Sequence, residues 1–173
     1  MMKQFVCLCV LIFSANLVTG TFGCRTVCGD LSDKLEPNDT ALEATPLTYG
    51  ESVDAGSHYG NVDFFKITVE SATTLGIRVD SRDSRASRAI LEVRGPTNEL
   101  LYTDVCPTGQ AGCAPDLLGK KINLKDASGL LVGYELEVPA AEPGDYIVQV
   151  QATGSDHMCE FSWEYTIEVN QEN

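Results

Sequence analysis

Asp63-Phe64-Phe65-Lys66-Ile67-Thr68-Val69 is the stretch that decides the fold class. Phe65, Ile67 and Val69 alternate with Lys66, Thr68 and Glu70, the two-residue period of a strand with one dry face and one wet face. The alternation returns in Leu75, Ile77 and Val79 against Arg78 and Asp80. Working outward, the spacing predicts strands at Glu51 to Ala55, Asp63 to Glu70, Thr73 to Asp80 and Ala89 to Arg94. It predicts four more at Glu99 to Val105, Leu130 to Val138, Asp145 to Ala152 and Phe161 to Val169. Turn formers separate them, in Gly95-Pro96-Thr97-Asn98, Glu142-Pro143-Gly144-Asp145 and Thr153-Gly154-Ser155-Asp156. Tyr146 and Ile147 are both apolar neighbours, so Asp145 to Ala152 is expected to be central and buried on two sides. No helical period, internal repeat or low-complexity tract competes with an all-β sandwich.

The segments before these strands give the address. Met1-Met2-Lys3-Gln4 is a short cationic start, Phe5 to Phe13 is continuously apolar, and Ser14, Ala15, Thr19 and Gly20 follow. That is the layout of a secretory signal peptide, too short to span a membrane, and no other stretch has the ~20 apolar residues a spanning helix needs. The division expected is a signal peptide over 1–23, an extended N-terminal arm over 24–48 and a β-sandwich over 49–173. Twelve basic residues against 25 acidic ones, a net charge of -13, argue against nucleic acid and anionic membranes as partners.

Within the arm, Leu35-Glu36-Pro37-Asn38-Asp39-Thr40 sets oxygen side chains on a backbone stiffened by proline. Together with the Asp63-Phe64-Phe65 strand, Pro143-Gly144-Asp145-Tyr146-Ile147-Val148-Gln149-Val150 and the closing Tyr165-Thr166-Ile167-Glu168-Val169, it resembles the pre-peptidase C-terminal (PPC) domain family. The resemblance covers about residues 35 to 169. It implies an eight-stranded, jelly-roll-like β-sandwich of the kind attached to extracellular peptidases. The related collagen-binding domains of clostridial collagenases hold calcium with such an arm, and on that pattern Glu36, Asn38, Asp39 and Asp63 match as ligands. Lys34 and Gly60 stand where the pattern has two further acids, which implies weak binding, ~10⁻⁴ to 10⁻³ M. Asn38-Asp39-Thr40 is also an N-glycosylation sequon, a competing use of Asn38.

Seven cysteines bear on the compartment. Cys7 and Cys9 belong to the leader, leaving Cys24, Cys28, Cys106, Cys113 and Cys159. Cys106 and Cys113 bracket a tight polar loop and are expected to pair, with Cys28 and Cys159 tying the arm to the last strand. Cys24 either competes with Cys28 or is lipidated, since Thr21-Phe22-Gly23-Cys24 partly resembles a lipoprotein box. The protein is accordingly expected to be secreted or, alternatively, to be a cell-envelope lipoprotein anchored through Cys24.

No His-Glu-x-x-His, Gly-x-Ser-x-Gly or phosphate-cradling motif occurs, so no catalytic residues are named and an enzyme is not expected. Arg78, Arg82, Arg85 and Arg88 fall close together in an acidic chain, either as a cationic patch for an acidic polymer or as a solvated loop balanced by Asp80 and Asp83. The function expected is a non-catalytic module with a binding or envelope-structural role, adhering to an extracellular polymer with weak calcium dependence. The alternative is a regulator or chaperone of a separately encoded secreted hydrolase.

Overall fold

The computed structural model describes residues 34–58, 61–81, 89–105, 118–140, 142–152 and 162–172. Among the described residues there are ten strands: β1 (Thr45–Leu47), β2 (Ser52–His58), β3 (Val62–Val69), β4 (Thr73–Ser81), β5 (Ala89–Arg94), β6 (Leu100–Thr103), β7 (Lys120–Lys125), β8 (Leu131–Ala140), β9 (Gly144–Ala152) and β10 (Ser162–Glu172). They form two five-stranded sheets, here A in the order β1-β3-β9-β5-β6 and B in the order β2-β10-β4-β8-β7. Every pairing is antiparallel except β1 against β3.

The all-β sandwich expected from the alternation is the fold observed, with ten strands in place of eight. The two additional strands lack a visible period for physical reasons. β1 is three residues with Pro46 at its centre, and proline, having no N–H to give a ladder, is tolerated on a sheet edge, where β1 lies. β7 reads Lys-Lys-Ile-Asn-Leu-Lys at the opposite edge of the other sheet, and lysines blunt an edge against pairing with another chain.

The inward phases of the two sheets make the core: Phe65, Ile67, Leu75, Val79, Leu136, Val148, Tyr165 and Ile167 are each fully buried. β9 is the middle strand of sheet A, as expected, but it is not buried on two sides. Tyr146, Val148 and Val150 face inward, while Ile147, Gln149 and Gln151 are half-buried on the outside, because the sheet's outer face is not covered by a second layer of described residues. Two of the expected turns touch each other: a Cβ on Gly144, at φ +146°, would stand 2.7 Å from the ring of Pro96.

A polar stitch joins the edges β6 and β7, which belong to different sheets. Lys121 Nζ lies 2.7 Å from Asp104 Oδ2 and 3.5 Å from the ring centre of Tyr134. Asp104 also accepts the Tyr102 hydroxyl at 2.6 Å and the Leu91 amide at 3.0 Å. Burial, with the charge of Asp104 nearby, pushes the Tyr134 hydroxyl up to about 12. In an unfolded chain that group titrates near about 10, so the folded state prefers the neutral phenol. This contribution is complete below about pH 10 and is lost as pH rises toward about 12. Tyr134→Phe should therefore flatten the loss of stability across that alkaline window, measured by urea unfolding at stepped pH. An unchanged slope would mean that Tyr134 titrates outside the fold's stability.

Candidate functional site

A carboxylate sits where the strand pattern calls for an apolar residue. In β3 the buried positions are Asp63, Phe65, Ile67 and Val69, so Asp63 points into the sandwich and is fully buried. Burying a carboxylate is costly unless hydrogen bonds or a cation answer it. Asp63 Oδ2 accepts the hydroxyl of Tyr165 at 2.5 Å, and Oδ1 accepts the side-chain amide of Asn61 at 3.2 Å. Because β3 belongs to sheet A and Tyr165 to β10 of sheet B, the first of these bonds crosses the sandwich. Tyr165 is itself fixed by stacking on Trp163 at 4.4 Å between ring centres and by an edge contact with Phe65. Trp163 Nε1 in turn donates to Ser81 Oγ at 2.8 Å.

The arm reaches the same place. The Phe64 amide donates to the Asn38 carbonyl at 2.9 Å, which lays the arm against the start of β3. The Asn38 backbone N–H donates to Glu36 Oε2 at 3.2 Å, and Glu36 Oε1 accepts the Asn61 side-chain amide at 3.0 Å. One NH₂ group therefore stands between two carboxylates, one from the arm and one from the core. Asn61 is held from behind, its carbonyl accepting Ser57 Oγ at 3.2 Å. The orientation of its amide follows from its neighbours, since both carboxylates are acceptors only.

Asn38 joins the cluster through its backbone bond to Glu36. Its side chain is wholly buried, yet neither Oδ1 nor Nδ2 has a hydrogen-bond partner among the described residues. Buried polar atoms are nearly always satisfied, and an exception calls for an unseen ligand or water. This burial also bears on the sequon: a glycan cannot be carried on an Asn38 side chain that has no access to solvent.

The structure thus brings together three of the four expected ligands, Glu36, Asn38 and Asp63, and leaves Asp39 exposed beside them. Among the described residues no three His, Cys, Asp or Glu side chains are grouped to hold a metal. The donor set on offer is the carboxylates of Glu36 and Asp63 and the carboxamide of Asn61, all hard oxygens once the amide presents Oδ1. Such a set suits calcium, which takes carboxylate, amide and water oxygens in flexible geometry. Asn61 escapes the sequence reading because nothing local marks it. It gains its role from its place just before β3, from which its side-chain amide reaches Glu36.

On the other side of β3, Phe64 faces outward and helps floor a shallow groove of about 160 Å³ on sheet A. Ile147 and Gln149 continue the floor, Ala41 of the arm makes one wall, and Arg94 with Glu92 makes the other. Arg94 is paired with Glu92 at 2.7 Å and donates to the Asn98 carbonyl at 3.2 Å. Leu42, next to Ala41, is almost completely exposed at the rim.

Arg78 lies on the outer face of sheet B, its Nε 2.6 Å from Asp80 Oδ2, and Asp80, with Glu135 and Glu168 alongside, holds the guanidinium more firmly in its charged form. Arg82, Arg85 and Arg88 lie outside the described residues, as do Cys24, Cys28, Cys106, Cys113, Cys159 and the leader. Among the described residues, no helix is long and apolar enough to cross a membrane.

No family model and no curated protein matches this chain. Solved structures similar to it include the pre-peptidase C-terminal domain of a collagenase from Bacillus anthracis. That likeness has a TM-score of 0.48 and 12% identity, covering 73% of this chain and 94% of the other. Another is PliG from Aeromonas hydrophila, a periplasmic inhibitor of g-type lysozyme, with a TM-score of 0.41 and 13% identity, covering 75% of this chain and 96% of that one.

The cross-sheet bond can be weighed by deletion. Tyr165→Phe withdraws the hydroxyl from a buried charged acceptor and should cost about 1–3 kcal/mol in urea unfolding. Tyr146→Phe withdraws a hydroxyl from the partly buried Glu142 carbonyl and should cost less, about 0.5–1.5 kcal/mol. A Tyr165→Phe loss no larger than the Tyr146→Phe loss would count against a charged partner at Asp63.

Proposed function

We propose that this chain is an exported, non-catalytic binding module that presents the outer face of sheet A to an extracellular polymer, with its arm fastened by weakly held calcium. The observation that carries the reading is that adjacent residues of one strand face the oxygen cluster and the groove. Asp63 points inward to the oxygen cluster, and Phe64 points outward to the groove. The arm also reaches both, through Asn38 beside the cluster and Ala41 in the groove wall.

Glu36, Asn38 and Asp63 would hold the cation, which supplies positive charge where two carboxylates approach and draws the arm onto β3. The groove offers the exposed part of an aromatic ring, an aliphatic floor, an amide and a fixed ion pair. That mixture suits an extended polymer with alternating apolar and hydrogen-bonding groups. An address outside the cytoplasm agrees with the leader and the cysteine spacing in the sequence.

Two measurements test the reading. In the first, the purified protein is sedimented with collagen, chitin or cellulose, with calcium or with a chelator, beside Phe64→Ala. Retention on one polymer, reduced by chelator and by Phe64→Ala, is expected. Retention of neither protein on any polymer would remove the polymer reading. In the second, calcium is titrated against thermal unfolding. A cation bound only to the folded state stabilises it by RT ln(1 + [L]/Kd), ~2.7 kcal/mol at one hundred times Kd. Asp63→Asn should respond less than the wild type, and equal responses would place the ion elsewhere.

A further inference from the structure

The side chain that divides the two carboxylates is an amide, and this suggests how the arm is held when no cation is present. Asn61 Nδ2 lies 3.0 Å from Glu36 Oε1 and 3.2 Å from Asp63 Oδ1. It thus occupies the point on which the arm carboxylate and the core carboxylate converge, and there a hard cation would find its strongest field. An NH₂ group carries partial positive charge on two hydrogens, one for each carboxylate. Asn61 is buried and its backbone carbonyl accepts the Ser57 hydroxyl, so its main chain is held as part of the fold. The unpartnered, wholly buried Asn38 amide is independent of this bridge and marks a place where a ligand's bonds are missing.

We propose that the Asn61 carboxamide is a built-in substitute for the cation, a latch that docks the arm without metal and is exchanged when metal binds. This rests on the calcium reading of the same cluster. To admit the ion, the Asn61 amide must turn its NH₂ away and offer Oδ1, while Asn38 Oδ1 gains the partner it lacks. Binding then replaces two amide–carboxylate hydrogen bonds with cation–oxygen contacts, so the arm is docked more loosely before and more firmly after. The affinity is lowered by the bonds given up. A carboxylate at position 61 would reverse this logic. It would repel Glu36 and Asp63 without metal and add a charged ligand with it.

Thermal unfolding of the full chain and its Asn61→Asp and Asn61→Ala variants, in chelator and across a calcium titration, tests the exchange. In chelator both variants should melt below the wild type, Asn61→Asp the lower because it adds repulsion. Calcium should raise the melting temperature of Asn61→Asp most, with half the effect at about tenfold less calcium than the wild type needs, since an added carboxylate strengthens a calcium site. Asn61→Ala melting with the wild type in chelator would overturn the latch. Asn61→Asp responding to calcium no better than the wild type would overturn the placement of the amide at the cation's position. A wild type blind to millimolar calcium beside a responsive Asn61→Asp would overturn the exchange in the natural chain, and with it the calcium reading. If both are blind, the exchange is overturned as well.

Discussion

The hydrogen bond from Tyr165 to Asp63 is the constraint on which one end of this sandwich depends. It joins the two sheets through polar atoms at one end of a mainly apolar core, and it commits a carboxylate to a buried position in β3. A buried charge without partners is among the costliest features a small domain can carry. Everything around Asp63 answers that cost. Tyr165 is oriented by the Trp163 stack, Asn61 is braced by Ser57, and the arm delivers Glu36 to the far side of the same amide. The arm is thereby made part of the domain, secured by the Asn38–Phe64 backbone bond and by β1 running parallel to β3.

The strand geometry then separates duties between two faces. Successive residues of β3 point to opposite sides, so the buried oxygen cluster and the exposed groove are one residue apart without sharing atoms. Charge is divided as well. On sheet B the row through Arg78 sets it between Glu168 and Glu135, and it is bound to Asp80 in its own strand. Around the groove of sheet A, the Arg94–Glu92 pair is neutral and the floor is aliphatic and aromatic. An acidic protein of net charge -13 thus keeps one locally neutral, partly apolar surface beside its arm. Such a surface is where contact with an uncharged polymer meets the least desolvation of charge.

Much of this architecture was legible in the sequence because two-residue alternation is a direct consequence of strand geometry. Phe65, Ile67 and Val69 read as an inner face, and they are one. β1 and β7 were hidden because their residues serve as sheet edges, where proline and lysine are favoured and apolar alternation is weak. β9 read as doubly buried from Tyr146 and Ile147, but neighbouring residues of a strand face opposite ways, and Ile147 went to the open side. Glu36, Asn38 and Asp63 were named in the sequence through a family resemblance, and the fold sets them near one another. Asp39, adjacent to Asn38, was carried along and stands in solvent. Asn61 had no pattern to announce it, since its contacts join parts of the chain 25 residues apart.

The account stands on the arm being held at the buried end of β3 through Asp63. Native-state hydrogen exchange of the Phe64 amide, which donates to the Asn38 carbonyl, reads that docking directly. With Asp63→Ala, the Phe64 amide should lose most of its protection, while the amides of Ile77 and Val148 in the sheet interiors keep far more of theirs. If Phe64 stays as protected in Asp63→Ala as in the wild type, Asp63 does not hold the arm and the account fails.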